Sequence, residues 1–504
     1  MKKLLSIIIL GLFFVVLGCE KDSLFDTTLD DDIKVSVRAT DTEIEDMIEG
    51  GVAWLLTNKN GDGSFSWGQE IVARTAMAVV KLCDKSIEEG FQPLDPDGPY
   101  YTQIQEALAF IMSHEQIKGP DQKLYNILGN AHHDNYNGSW ALMAFCATRD
   151  AGYLTIAQQA ANFFIENRAP NGAWGYNAEG GWDDNQSWQD NSNTGYVVLS
   201  LVAAANFGCS IPAAVVDDHK TWVNYIQNPV DGDPDDGGSG YTQPNEWVNM
   251  IKTGNLLFEM AFVGDKPTDS RVQDAVDYLE RHWGDLNQDP GFRPNNYQAM
   301  YTMMKGLTAL GIDAVGPYDW YGEFTDMMYA NKLGVPGNYY WPADGMWADE
   351  YISTVFALLT LEKVVELPRI EVYLDIKPTS CPNPFNMGAN GVLPVAILGS
   401  PDCDVTQIDV SSLTLAGVPP IVEMTGYEDV AAPLYDPTEE CECTTAGPDG
   451  YMDLTLKFNR QAIAEALGDV EDGDMVPLTI TGFLANGLEL TGTDCIWIKK
   501  KGKK

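Results

Sequence analysis

Residues 163–174 read FFIENRAPNGAW, and residues 190–196, which precede a long apolar segment, read DNSNTGY. The first stretch ends an amphipathic segment and then reverses at Pro170, Asn171 and Gly172, which are typical turn residues. The second stretch places Asp, Asn and Ser directly before apolar residues, as the N-terminus of a helix requires. Together they predict a helical hairpin with an amphipathic first helix, an aromatic turn and a more apolar second helix.

This hairpin pattern recurs between residues 43 and 365 at intervals of roughly fifty to sixty residues. The first helices are predicted near residues 43–57, 102–115, 154–167, 213–227, 270–283 and 321–331, and the second helices near 70–83, 136–149, 192–207, 247–263, 295–311 and 349–364. Repeated helix pairs must stack on their neighbours to bury their apolar faces. Because the second helices are apolar almost throughout, we predict that they form the inner layer of a closed (α/α)6 toroid. An open superhelix is the alternative.

The aromatic turns carry a resemblance to a known family. Weaker copies of the stretch at 163–174 lie at 54–67, 225–241 and 278–292. The pattern resembles the repeat of the squalene-hopene cyclase and protein prenyltransferase superfamily. The resemblance covers about 320 residues and implies an α/α toroid.

The activities of that superfamily do not transfer to these residues. Triterpene cyclases use an Asp-x-Asp-Asp acid at the head of an inner helix, whereas residues 233–236 (DPDD) precede a glycine-rich turn, well before the helix predicted at 247–263. None of the five histidines follows a cysteine at a spacing that indicates the zinc site of a prenyltransferase. The Cys-Gly-Glu-Gln of complement-like thioesters is absent. We therefore expect neither terpene cyclase nor prenyltransferase activity.

A second domain is predicted after residue 366. Strand-like runs occur at residues 370–376, 392–398, 413–415, 454–458, 476–481 and 494–499, with one helical run at 461–467. They predict a C-terminal β-sandwich over residues 367–504. It resembles a module found at the C-terminus of exported proteins of environmental bacteria, through residues 375–378, 391–399 and 447–450.

The cysteines of the C-terminal part are expected to form disulfides. This part contains Cys381, Cys403, Cys441, Cys443 and Cys495. Because five is an odd number, at most two intramolecular bridges can form, and their pairing stays open. Metal binding by Cys441 and Cys443 is the alternative.

The first nineteen residues predict export. Lys2 and Lys3 precede an apolar run at 4–17 that is too short to span a bilayer, as in a secretory signal. Residues 16–19 (VLGC) resemble a bacterial lipobox, which implies that Cys19 becomes the lipidated N-terminus of an envelope lipoprotein. An ordinary signal peptide is the alternative. Residues 20–42 are predicted to be an acidic tether, and residues 43–366 the toroid.

The charge of the chain excludes some partners. Its net charge is −42, from 31 Lys and Arg against 73 Asp and Glu. Nucleic acid and an anionic membrane surface are therefore not expected partners, because both require basic patches. Such acidity fits a salty habitat, high solubility or calcium. Asp449 and Asp453, which lie in acidic turns of the C-terminal domain, are the candidate calcium ligands, and no other cofactor is predicted.

A toroid would gather the starts of its inner helices at one mouth, and these starts are polar. The candidate ligand-binding residues are Glu70, His133, Asn137, Trp182, Trp188, Asn193, Glu246, Asp349 and Glu350. Further aromatic residues expected at the same rim are Tyr241, Phe292, Trp341 and Trp347. Aromatic rings and carboxylates in one bowl are typical of sugar clefts, so we predict a non-catalytic receptor for a glycan or another small ligand. The alternative is a polysaccharide-acting enzyme in which Asp134 and Asp190 are the paired acids. Both aspartates also fit a role as helix caps alone.

Overall fold

The chain divides into two units, residues 1–37 and 38–504. In the second unit the computed structural model describes residues 38–68, 70–127, 133–177, 189–230, 232–284, 296–345, 347–364, 369–400, 403–434, 441–468, 470–484 and 489–500. The signal sequence, Cys19 and most of the tether lie outside the described residues. Within the described ranges, no helix has both the length and the apolar character needed to cross a membrane.

Helices dominate the described chain up to residue 361. They are α1 (Asp41–Thr57), α2 (Ile71–Glu88), α3 (Tyr101–Ser113), α4 (Asp134–Ala147), α5 (Leu154–Glu166), α6 (Asn191–Phe207), α7 (Ala213–Ile226), α8 (Met250–Phe262), α9 (Ser270–Arg281), α10 (Tyr297–Ala309), α11 (Trp320–Asn331) and α12 (Glu350–Leu361). Each of them overlaps one of the segments predicted from the apolar periodicity. The sequence analysis missed two short hairpins, β1 (Glu115–Gly119) with β2 (Gln122–Tyr125) and β3 (Leu333–Val335) with β4 (Asn338–Tyr340).

The even-numbered helices form a closed ring. Each contacts the next in chain order, and α12 contacts α2. Every residue of α8 is buried, as an inner helix requires. By contrast, α9 buries only one face, which includes Val272, Ala275 and Leu279, and exposes the other. The odd-numbered helices therefore form an outer layer on the ring, and this part of the chain is an α/α toroid.

The turn that follows α5 packs against the next outer helix, α7. Gly172 has φ +75°, and a Cβ atom there would lie closer than 3.0 Å to the backbone of α7. Trp174 is buried, and its indole Nε1 donates a hydrogen bond of 3.0 Å to the carbonyl oxygen of Phe164. Gly63 and Gly237 repeat this arrangement, with positive φ and backbone contact with α3 and α9 respectively. The repeated glycine thus lets successive hairpins approach each other closely.

Strands dominate the C-terminal part. They are β5 (Arg369–Glu371), β6 (Tyr373–Ile376), β7 (Pro384–Asn386), β8 (Val392–Leu398), β9 (Ile408–Leu415), β10 (Gly426–Glu428), β11 (Asp453–Asn459), β12 (Met475–Leu484) and β13 (Glu489–Lys499), with α13 (Arg460–Leu467) between β11 and β12. One sheet has the order β10-β11-β8-β6, and the other has β5-β13-β12-β9 with β7 also paired to β13. Both sheets contribute to one core, for example Ile397 and Leu456 from the first and Ile480 and Ile496 from the second.

Two disulfides lie in this strand-rich part. They join Cys381 to Cys443 and Cys441 to Cys495. Of the five cysteines in the strand-rich part, Cys403 is left as a thiol. Cys441 and Cys443 are each engaged in a separate bridge, so the structure follows the disulfide prediction for these residues and not metal binding.

Candidate functional site

A cavity of about 230 Å³ opens at the N-terminal ends of the even-numbered helices. We call it the bowl. It is lined by Glu70, Arg74, His133, Tyr136, Tyr176, Ser192, Asn193, Tyr196, Tyr241, Trp247, Asn249, Ile251, Lys252, Gln298, Trp347, Ile352 and Phe356. The lining residues belong to the first two turns of the inner helices or to the loops before these helices. The inner helices therefore bring their polar N-terminal ends to one mouth.

Of the predicted ligand-binding residues that the structure describes, Glu70, His133 and Asn193 line the bowl, and the first two belong to a chain of polar contacts. Glu70 Oε1 lies 3.3 Å from His133 Nε2. Arg74 Nε lies 4.0 Å from Glu70 Oε2, and Arg74 Nη1 lies 2.6 Å from Asp349 Oδ2. The third, Asn193, donates its side-chain amide to Asp190. Asp349 itself caps α12 by accepting a hydrogen bond from the Ile352 amide, so the pair with Arg74 links α12 to α2.

The other predicted residues lie elsewhere. Asn137 is fully buried, accepts a hydrogen bond from the Ala73 amide at 2.9 Å and donates one to the His133 carbonyl at 3.0 Å. It therefore joins α2 to the start of α4. Glu246 accepts a hydrogen bond from the Thr242 hydroxyl, and its side chain and that of Glu350 are exposed near the mouth. Three of the predicted aromatic residues, Trp182, Trp188 and Phe292, lie outside the described residues.

Exposed aromatic rings stand at the rim of the bowl. Trp247 is 41% and Trp347 is 58% exposed, with ring centroids 6.0 Å apart. Tyr241 meets Trp247 edge-on at 5.4 Å, and Tyr176 is also partly exposed. A contiguous group of exposed aromatic side chains is typical of an interaction site. The sequence predicted Tyr241 and Trp347 at this rim and missed Trp247 and Tyr176, whereas Trp341, also predicted there, is fully buried.

An aromatic layer closes the floor of the bowl. The ring of Trp140 lies 5.8 Å from Tyr196, 6.2 Å from Tyr301 and 6.4 Å from Phe356, measured between centroids. Beyond this layer a second cavity of about 180 Å³, lined in part by Trp140 and Tyr301, lies at the C-terminal ends of inner helices. The ring is therefore filled at mid-height, and a ligand in the bowl would rest on aromatic faces.

The candidate catalytic aspartates are both buried. Asp190 caps α6 and accepts hydrogen bonds from the amides of Ser192 and Asn193, both at 2.9 Å. Burial raises the pKa of Asp190, and these hydrogen bonds oppose the rise. Asp134 accepts a hydrogen bond of 2.7 Å from Asn126 Nδ2. Neither aspartate belongs to the described lining of the bowl. Their role as a catalytic pair stays a prediction.

The Asp-x-Asp-Asp segment lies in a turn. The amide of Asp235 donates to Asp233 Oδ1 at 2.9 Å within this turn. The inner helix that follows, α8, begins at Met250. The segment is thus placed in the turn before the helix, as its spacing in the sequence indicates.

Lys252 is the cation that sequence analysis missed. It lies in the first turn of α8 and is only 2% exposed, although it lines the bowl. Burial lowers the pKa of Lys252 to about 7, while Asp190 and Glu246 oppose this shift. The signal that could have found it is a lysine three residues after the capping Asn249, in a helix that is buried along its whole length.

The candidate calcium ligands differ in their surroundings. Asp453 is fully buried and accepts hydrogen bonds from the amides of Gly399, Val430 and Ala431 at 2.9, 2.7 and 3.2 Å. Asp449 is exposed and accepts one from the amide of Tyr451. In the described part of the chain, no three His, Cys, Asp or Glu residues are grouped so that they could hold a metal ion. Calcium binding stays a prediction, which thermal unfolding with and without EDTA would decide.

Comparison with known proteins gives distant structural similarity. No protein-family profile and no curated protein matches the chain. The GH76A α-1,6-mannanase of Salegentibacter sp. HEL1_6 is similar, with 12% identity and a TM-score of 0.44 over 64% of this chain and 97% of that one. The type II terpene cyclase MstE of Scytonema is also similar, with 14% identity and a TM-score of 0.42 over 64% of this chain and 98% of that one. Similarity at this level says nothing about reaction or substrate, and the assignment of the toroid rests on the helix contacts of this chain.

Proposed function

We propose that this chain is an exported, lipid-anchored envelope protein whose (α/α)6 toroid binds a glycan in the bowl, without terpene cyclase or prenyltransferase activity. The C-terminal part is, in this proposal, a β-sandwich of the two sheets that share a core. The observation that carries the proposal is the exposed pair Trp247 and Trp347 above a cavity whose largely aromatic wall also carries polar side chains. Neighbouring exposed aromatic side chains of this kind mark sites of ligand or protein interaction.

A sugar fits the chemistry of this cavity. The C–H face of a pyranose ring packs on aromatic rings, and its hydroxyl groups both donate and accept hydrogen bonds. The bowl offers aromatic faces at Trp247 and Trp347, and polar side chains at Ser192, Asn193 and Gln298. Ligand sites typically combine apolar walls with a few polar groups in this way.

The experiment is a binding and turnover screen. Residues 20–504 would be tested on a glycan panel that also contains isoprenoid lipids, with the products analysed by mass spectrometry. We expect at least one glycan to bind and to be recovered intact. Binding of isoprenoids alone, or of nothing on the panel, would contradict the proposal.

The alternative is a polysaccharide-acting enzyme. It becomes the better account if the screen releases cleaved sugar. In that case Asp134→Asn and Asp190→Asn are each expected to lower the turnover number at least a hundredfold, because each removes one of two carboxyl groups required for glycoside hydrolysis. Circular dichroism checks that both variants fold. Full activity in both folded variants would exclude this pair.

The anchor is tested separately at the N-terminus. Cells fed labelled palmitate are expected to incorporate the label into the wild-type protein and not into the Cys19→Ser variant, because the lipid is attached at the cysteine thiol and the amino group that cleavage frees. Equal labelling of the two proteins, or no labelling of either, would contradict a lipid anchor at Cys19.

A further inference from the structure

Lys252 differs from the other buried lysines of the toroid. Lys81 and Lys85 each form ion pairs with neighbouring carboxylates. Lys305 donates a hydrogen bond to the carbonyl oxygen of Gly195. The ammonium of Lys252 forms neither an ion pair nor a hydrogen bond with any residue that the structure describes. It is the exception among these lysines, and it alone lines the bowl.

Lys252 lines the bowl, and its ammonium lies beside two aromatic rings. Nζ lies 4.3 Å from the ring centroid of Trp247 and 5.5 Å from that of Tyr241. These ring faces stabilise the cation in part. Asp190 and Glu246 act on Lys252 through their charge without contact. Arg74 is another cation in the wall of the bowl. It already forms ion pairs with Glu70 and Asp349.

A buried ammonium without an acceptor is costly, because it has lost water and gained no hydrogen bond in return. A carboxylate of a ligand would supply both the charge and the acceptor, and charge-assisted hydrogen bonds are the strong ones. A single negative charge suits the site best, since Asp190 and Glu246 are close enough to repel a second one. A carboxylate therefore suits the site better than a phosphate, which carries up to two charges at neutral pH.

We propose that the bowl selects a glycan that contains a uronic acid, with the sugar carboxylate bound to Lys252 Nζ and a sugar ring on Trp247. This inference rests on the proposed function, because it names the class of glycan for the same site. It also gives a role to a lysine that forms no ion pair with the described residues, in a chain of net charge −42.

Carboxylate binding at Lys252 is expected to weaken as the pH rises above about 7. Burial lowers the pKa of free Lys252 to about 7, and a bound carboxylate would raise it. Below about pH 7 the amine already carries its proton, so affinity is at its maximum. Above that pH binding must take up a proton, and affinity falls by up to tenfold per pH unit. Of the groups around Lys252, Asp190 and Glu246 are acids, and Tyr241 stays protonated because burial raises its pKa. His133 is a further titratable group in the lining of the bowl.

The test uses matched pairs of ligands. Uronic-acid oligosaccharides and their carboxyl-reduced forms, which carry CH2OH in place of the carboxylate, would be titrated calorimetrically into the wild-type protein and Lys252→Met. We expect the wild-type protein to bind the carboxylated form at least tenfold more tightly at pH 6.5. The Lys252→Met variant should lose this preference and its pH dependence while it still binds the reduced form. Lys220→Met, at an exposed lysine of α7, is the matched control and should behave as wild type.

The outcomes separate the two proposals. Equal affinity for both forms in the wild-type protein, or an unchanged preference in Lys252→Met, would overturn the inference and leave glycan binding intact. The inference is likewise overturned if sulfated oligosaccharides bind as tightly as carboxylated ones, or if only neutral glycans bind. If no glycan binds at all, the proposed function itself fails. Thermal unfolding shows that Lys252→Met is folded, and its melting temperature should not decrease, because the change removes a buried unpaired charge.

Discussion

Replacing Gly172 by alanine is expected to lower the free energy of unfolding by about 3 kcal/mol or more. Two costs add at this position. The backbone has φ +75°, which a side chain at Cβ disfavours by about 1–2 kcal/mol. The new methyl group would also lie closer than 3.0 Å to backbone atoms of Asp218 and His219. Because the backbone of a helix cannot rotate away as a side chain can, α7 would have to move away from the turn that contains Gly172.

A second glycine separates these two costs. Gly311 has φ +65°, and a Cβ atom there would meet nothing within 4 Å. Gly311→Ala should therefore show the conformational cost alone, about 1–2 kcal/mol. Guanidinium denaturation followed by circular dichroism at a helix-sensitive wavelength compares the two variants. If Gly172→Ala loses no more stability than Gly311→Ala, the contact between the turn and α7 does not contribute to the closure of the ring.

The second large effect is expected on binding. The double variant Trp247→Ala with Trp347→Ala should weaken binding of the glycan found by the screen by about 2 kcal/mol or more, roughly thirtyfold in Kd. Both rings are exposed in the free protein, so their removal costs little core packing and the fold should be kept. Isothermal titration calorimetry measures the change, and circular dichroism checks the fold.

The control for this variant is another exposed aromatic residue. Tyr225 lies on the outer helix α7, is 45% exposed and is not among the described lining of the bowl. Tyr225→Ala is expected to leave Kd within about twofold of wild type, as surface changes away from a site usually do. If the double tryptophan variant binds the glycan as tightly as Tyr225→Ala does, the aromatic rim does not belong to the binding site.

The sequence predicted the helices well because each is a local pattern. The apolar periodicity of α6 and its start at Asp190 to Asn193 lie within one stretch of chain, and the structure places both close to the prediction. The choice of a ring also followed from composition, since the inner helices are apolar almost throughout. The short hairpins β1–β2 and β3–β4 were missed, because strands of three to five residues carry little periodicity.

The site was less predictable because its contacts join distant parts of the chain. The pair between Arg74 and Asp349 spans 275 residues. The sequence spacing placed Asn137 at the mouth of the bowl. In the structure its side chain points towards α2, where it accepts a hydrogen bond from the backbone amide of Ala73. Lys252 escaped notice for a similar reason, since the absence of a carboxylate beside it is a property of the folded ring. The two disulfides were likewise expected, but their pairing depends on how the sheets pack.

The most direct test of the account is to locate the bound glycan by hydrogen–deuterium exchange. The wild-type protein would be compared with and without a saturating concentration of the best ligand from the screen. Glycan binding in the bowl predicts slower exchange in peptides that cover residues 190–196, 241–252 and 347–356, which contribute to its wall and floor. Protection confined to residues 369–500, with these three segments unchanged, would contradict it.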